Sequence, residues 1–207
     1  MGKTLVSLVF TSLLLGGCAT LSESQCIASD WQTVGYNDGA AGRTSSQLLK
    51  HQNACVKHGV VPDREVYLVG WNQGVEVYCT PENGFAQGDR GASYGNVCPD
   101  TLKDAFYNAY QQGRELYLAK AEIRTLENAK YSKERRLDSI KHELSHTESQ
   151  LIDDELTPVQ RYELLDATKE LAREQGELEA EVDQLIAEIA VKRDRLASMS
   201  ATLAYNY

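Results

Sequence analysis

Positive charge is scarce in this 207-residue chain: 21 Lys and Arg stand against 30 Asp and Glu, a net charge of −9. A nucleic-acid binder needs a basic stripe to neutralise phosphates, so nucleic acid is excluded as an expected partner. No run of about 20 apolar residues occurs, and no spanning helix is expected. No two cysteines are spaced Cys-x-x-Cys, which argues against a thiolate zinc site. The glycine-rich stretch from Gly84 to Gly95 has no Lys-Ser/Thr after it and no strand before it, so it is no phosphate-binding loop. Beyond Gly113 only Gly176 and Pro158 remain of the two helix-breaking residue types, which excludes a turn-rich second half.

What is present begins with an address. Lys3 is followed by a predominantly apolar stretch from Leu5 to Leu15, the size of a signal-peptide core and too short to span a bilayer. It ends in Leu15-Gly16-Gly17-Cys18, which resembles a bacterial lipobox. Residues 1–17 are therefore expected to be a lipoprotein signal peptide, with Cys18 the lipidated residue carrying palmitate-type chains. A chance cysteine in an ordinary signal peptide is the weaker reading, because Cys18 sits where a signal peptidase would cut. Each buried CH₂ contributes about 0.8 kcal/mol, so several acyl chains anchor stably. By the same resemblance, Ala19 after the cysteine, rather than Asp, directs the protein to the periplasmic face of the outer membrane in a Gram-negative cell. Loss of residues 1–17 removes one Lys and leaves a charge of −10. Such a surface is not drawn to anionic lipid, so the lipid does the anchoring, and residues 18–25 form a tether.

Four cysteines remain: Cys26, Cys55, Cys79 and Cys98. In an exported, oxidising setting an even count reads as two disulfides. Three connectivities are open, and spacing does not choose between them. If the first two helices are antiparallel, Cys26 and Cys55 come together; Cys26–Cys55 with Cys79–Cys98 is then the expected pairing.

A short motif recurs over residues 26–117. Gly35-Tyr36-Asn37-Asp38-Gly39 matches Gly70-Trp71-Asn72-Gln73-Gly74. Gly84-Phe85-Ala86-Gln87-Gly88 is a third copy and Ala109-Tyr110-Gln111-Gln112-Gly113 a looser fourth. On a helix the two small residues lie on one face, where they admit a second backbone. Punctuation predicts helices from Asp30 to about Gly42, from Ser45 to Lys57 with Gly59 as cap, and from Pro62-Asp63 onward. The stretch from Gly84 to Gly95 reads mostly as loop. So small a core needs covalent help, which fits the disulfides. Further residues join these: Asp30-Trp31, His51 with Cys55, Tyr67, Tyr78-Cys79, Asn83 and Cys98-Pro99. Together they make the stretch resemble an uncharacterised family of Gram-negative putative lipoproteins, a domain of unknown function. The resemblance implies an envelope lipoprotein and supplies no activity or cofactor.

From Pro99-Asp100 a long helix is predicted, the first arm of an antiparallel coiled-coil hairpin that starts near 101 and makes up residues 118–207. Leu116, Ile123, Leu137, Leu144 and Leu151 repeat every seven residues, as do Leu164, Leu171, Leu178 and Leu185 on the second arm. The turn falls at 152–157, with Thr157 capping and Pro158 in first helical position. A turn centred near 154 predicts that facing residue numbers sum to about 308. Ile123 would then oppose Leu185, and Leu203 would oppose Ala105, with Tyr205 and Tyr207 packing nearby. Lys130 and Lys133 fall on the seam, their ammonium groups within reach of Glu177 or Glu181. The fold class is thus all-α: a disulfide-stapled domain rich in glycine and aromatics, then the hairpin.

Candidate chemistry is thin. His142-Glu143-Leu144-Ser145-His146 spells the H-E-x-x-H of zinc peptidases, but Leu144 on the seam turns both histidines to solvent, with no third ligand or cleft. A zinc metallopeptidase is the outside reading. His51 and Cys55, four apart, fit a disulfide better than a nucleophile pair. Asp30, Asp38 and Asp63 read as helix caps. Aromatics beside Asn, Asp and Gln could form a peptidoglycan platform, though their helical spacing suits packing better. The favoured reading is a non-enzymatic, lipid-anchored periplasmic protein, without cofactor, metal or catalytic residues, whose hairpin contacts another envelope protein. A peptidoglycan- or glycan-binding module is the alternative.

Overall fold

The computed structural model describes residues 21–203, and every regular element among them is helical. The predicted signal peptide, Cys18, Tyr205 and Tyr207 lie outside the described residues. Contacts divide the chain into two units: one runs to Cys79 and includes Gly95–Leu102, and the other comprises Thr80–Tyr94 and Lys103 onward.

The first unit holds α1 (Glu23–Ala28), α2 (Trp31–Ala40), α3 (Gln47–Cys55) and α4 (Arg64–Tyr78). The Asp30 carboxylate accepts from the Gln32 amide to start α2, and Asp63 accepts from the Glu65 and Val66 amides to start α4. A short 3-10 turn, Val56–His58, follows α3 and ends at left-handed Gly59. Disulfides join Cys26 to Cys55, tying α1 to α3, and Cys79 to Cys98.

The joint between α2 and α4 is made by glycine. A Cβ on Gly35 would lie 2.0 Å from the Tyr67 carbonyl oxygen, and one on Gly39 would lie 2.3 Å from that of Trp71. Reciprocally, Gly70 would meet the Gln32 carbonyl at 1.9 Å and Gly74 that of Tyr36 at 2.1 Å. Contacts advance by four residues on both helices, so α2 and α4 run in the same direction, backbone against backbone.

The second unit repeats this joint. Its first helix, α5 (Pro81–Asp89), takes the first half of the stretch expected to be loop, and residues 90–95 are non-helical as expected. Over 84–89 the expectation fails because Gly84 and Gly88 mark close packing rather than turns, while Thr80 caps the helix and Pro81 opens it. Gly84 and Gly88 lie against the Phe106 and Tyr110 carbonyls of α6 (Asp100–Leu151), and Gly113 lies against that of Phe85. A shift of 49 residues carries Gly35, Gly39 and Gly42 onto Gly84, Gly88 and Gly91; a shift of 39 carries Tyr67, Trp71, Gly74 and Tyr78 onto Phe106, Tyr110, Gly113 and Tyr117. The equivalence reaches the helix ends. Gly42 and Gly91 both take positive φ, 69° and 77°, and each lies against the ring of its equivalent tyrosine, Tyr78 or Tyr117.

The 52-residue α6 continues past its joint and pairs with the 46-residue α7 (Pro158–Leu203). Thr157 and Gln160 exchange hydrogen bonds in a capping box, as expected for the start of α7. Leu116, Ile123, Leu137 and Ile140 of α6 and Val182 and Ile189 of α7 are buried. The register differs from the expected one. Arg136 pairs with Glu174, Lys133 with Glu181 and Glu122 with Lys192, all further along α7 than a sum of 308 places them. Val182 and Ile189, both expected on the seam, are buried, and Leu185 is half-buried. Met199 and Leu203 line a groove with Glu115, while Ala105 is exposed. Burial along the seam sets the register, and a six-residue turn need not sit symmetrically across it. Lys130 bonds Glu134 of its own arm, and Lys133 alone reaches across to Glu181.

Candidate functional site

The chemically richest place is inside the first unit. Asp38, expected to cap a helix, is instead 2% exposed in the last turn of α2. Its Oδ1 accepts from Arg43 Nη1 at 2.8 Å. Its Oδ2 lies 2.7 Å from His51 Nε2 and accepts from the Tyr67 hydroxyl at 2.8 Å. Each partner is delivered by a different segment: Arg43 by the turn after α2, His51 by α3 and Tyr67 by α4. Burying a carboxylate is costly unless it is paired and hydrogen-bonded, and three donors meet that condition. Burial raises the pKa of the Tyr67 hydroxyl, and its bond to Asp38 raises it further, so it stays protonated and donates.

An Asp–His pair is one half of a nucleophile-activating arrangement. The other half is committed elsewhere. Cys55, one turn along α3 from His51, is bonded to Cys26. His51 is 3% exposed, and its buried Nδ1 makes no hydrogen bond with the described atoms. The open groove beside α3, lined by Leu49, Val61, Pro62, Arg64 and Leu68 among others, reaches none of Asp38, His51 or Tyr67. The cluster's evident work is to hold α2, α3 and α4 together.

The second joint fills the same place differently. Gln87, equivalent to Asp38, donates to Asn83 Oδ1 at 2.9 Å and accepts from Arg90. Phe106, equivalent to Tyr67, is wholly buried and stacks with Tyr94. Two of the motif aromatics are engaged in the joints, while Tyr36 and Tyr107 are exposed. Trp71 Nε1 donates to the Arg43 carbonyl and the Tyr110 hydroxyl to that of Ala92, both at 2.8 Å.

Residues 30–115 match the family model described as "Protein of unknown function (DUF2799)". No curated protein and no solved structure matches the chain. The matched span opens at the cap of α2 and closes two residues beyond Gly113. It holds both glycine joints and leaves out the rest of the hairpin.

The H-E-x-x-H residues lie on the hairpin. His142 and His146 are exposed on the outer face, as the seam position of Leu144 requires. Glu143 turns toward Arg136, which it meets at 2.7 Å, and Arg136 also grips Glu174 of α7 through two bonds of 2.8 Å. Hydrogen bonds from Ser139 and Arg136 hold the Glu143 carboxyl below its ordinary pKa, and the bond from Arg136 does the same for Glu174. Glu163, the acid that follows His146 by 17 residues, is exposed on α7.

The sequence offered two signals for the Asp38 cluster. One was the acid-or-amide position before the second glycine of each motif; the other was His51 one turn from Cys55. Only the packing of α3 against α2 and α4 joins them.

Proposed function

We propose that this protein is a non-enzymatic lipoprotein of the Gram-negative envelope, anchored through Cys18 at the periplasmic face of the outer membrane. Its hairpin is an arm for contacts with another envelope protein. The observation that carries this reading is the hairpin itself, two paired helices of 52 and 46 residues. At 1.5 Å per residue the shorter one is about 70 Å long. A pair of that length buries its seam yet adds no enclosed core, so its use lies in reach and in outer surface. Two disulfides support an oxidising compartment. The apolar stretch ending at Cys18 supports the anchor.

The anchor is tested by Cys18→Ser. The variant should stay unprocessed or become soluble, whereas ordinary membrane fractionation of that variant would sink the anchor. Crosslinking in intact cells from positions along the hairpin tests the arm, and it should capture a discrete protein. Capture of the chain on isolated sacculi would favour the glycan reading instead.

A further inference from the structure

Large apolar side chains are exposed at isolated points along most of the hairpin, such as Leu118, Tyr131 and Val191. At the tip they gather. Ile152 is 81% exposed, Val159 66% and Tyr162 69%, and Leu165 is exposed one turn further on. The backbone that carries them is tied down. The Asp153 carboxylate accepts from the Glu155 amide, and Thr157 and Gln160 cap α7. Arg161 donates to the carbonyls of Leu151 and Asp153 at 2.7 and 3.1 Å. An apolar cluster on a fixed turn loses little conformational freedom on binding, and tyrosine is a frequent anchor at interfaces.

The charge around the cluster is of one sign. Glu148, Asp153, Asp154, Glu155, Glu163 and Asp166 surround it, all exposed. The one basic residue among them is Arg161, already engaged with two carbonyls. Anionic lipid would be repelled by such a rim. A second copy meeting tip to tip would oppose acid with acid. A basic rim around an apolar pocket fits both features.

Building on the reading of the hairpin as an arm, we propose that its tip is the docking element. Ile152, Val159 and Tyr162 enter an apolar pocket on a partner protein, and the surrounding carboxylates meet a rim of Lys and Arg.

The test places a photoreactive benzoyl-phenylalanine at Tyr162, and separately at Tyr131 midway along the arm, in the full chain in intact cells. The crosslinked peptide is identified by mass spectrometry. A product at Tyr162, joined to a peptide beside a Lys- and Arg-rich surface, is expected. Asp154→Lys combined with Glu163→Lys, which spares the Asp153 turn bond, should reduce that product at least about tenfold while leaving the melting temperature unchanged. A product from Tyr131 alone would overturn the tip proposal and leave the arm reading standing. No product from either position would remove the arm reading, and this proposal with it. A Tyr162 product that ignores the charge reversal, or that joins lipid or a second copy of this chain, would overturn the stated partner chemistry.

Discussion

The two glycine joints of this molecule share a backbone and differ in what fills them. In both, a pair of parallel helices approaches so closely that carbonyl oxygens occupy the space a Cβ would need. In the first, the motif's polar position is Asp38, buried and satisfied by Arg43, His51 and Tyr67. In the second it is Gln87, bonded to Asn83 and Arg90 beside the apolar Phe106. Where backbones touch, the repeat keeps a small residue: Gly35, Gly39 and Gly74 recur as Gly84, Gly88 and Gly113, and Ala109 stands where the first joint has Gly70. Where side chains meet, a cluster built on a carboxylate and one built on a neutral amide are both workable. The glycines thus specify the joint, and the polar centre is a local choice.

The comparison breaks hardest at Asp38. Asp38→Ala leaves a buried imidazole, a buried hydroxyl and the exposed Arg43 guanidinium without their acceptor, and should destabilise by about 3–5 kcal/mol. Gln87→Ala, removing the bonds of a neutral amide, one of them to the Arg90 guanidinium, should cost less, about 1–2 kcal/mol. Urea titration of the two variants measures both, and equal losses would show that the ionic centre has no special weight.

Next come the glycines themselves. Gly70→Ala and Gly113→Ala place a methyl group 1.9 and 2.1 Å from a carbonyl oxygen, so each pair of backbones must separate. Losses of about 3 kcal/mol are expected at each, similar in the two joints. Gly176→Ala is the control: nothing lies within 4 Å of its Cβ, and helix propensity predicts a gain of up to about 1 kcal/mol. Thermal melts decide, and a neutral Gly113→Ala would mean that the second joint is looser than the first.

The smallest effect expected lies on the arm. Glu143 and Glu174 titrate below their ordinary value of 4.5 when folded. Their stabilising contribution is therefore complete above that pH and is lost as pH falls through the depressed folded values. Arg136→Gln should flatten the acid side of the melting-temperature profile and change the neutral side little. A profile unchanged at all pH values would show that these exposed pairs contribute nothing.

Much of this architecture was legible from local rules. Asp30, Asp63 and Thr157 begin helices where capping chemistry places them, and the seven-residue repeat marks the hairpin. The disulfide pairing followed from bringing Cys26 next to Cys55. What escaped depended on tertiary contact. Gly84 and Gly88 read as loop along with Gly91 and Gly95, because propensity assigns glycine to turns; the first two belong to α5, whose backbone packs against α6. Asp38 read as a cap, because nothing local announces that His51 and Tyr67 converge on it. The register of the arms escaped because seam burial, rather than the midpoint of the turn, fixes it.

The Cys79–Cys98 bond gives the chain a particular load path. Cys98 precedes α6 by two residues, and Cys79 directly follows α4. Tension applied at the far end of α6 passes along that helix to Cys98, crosses the sulfur bridge to Cys79 and enters α4. The intervening segment, with all of α5, lies outside that covalent line and is held to α6 by the glycine joint. A partner hauling on the arm would thus load the helix that carries Tyr67, Gly70 and Gly74, and would leave α5 free of backbone tension.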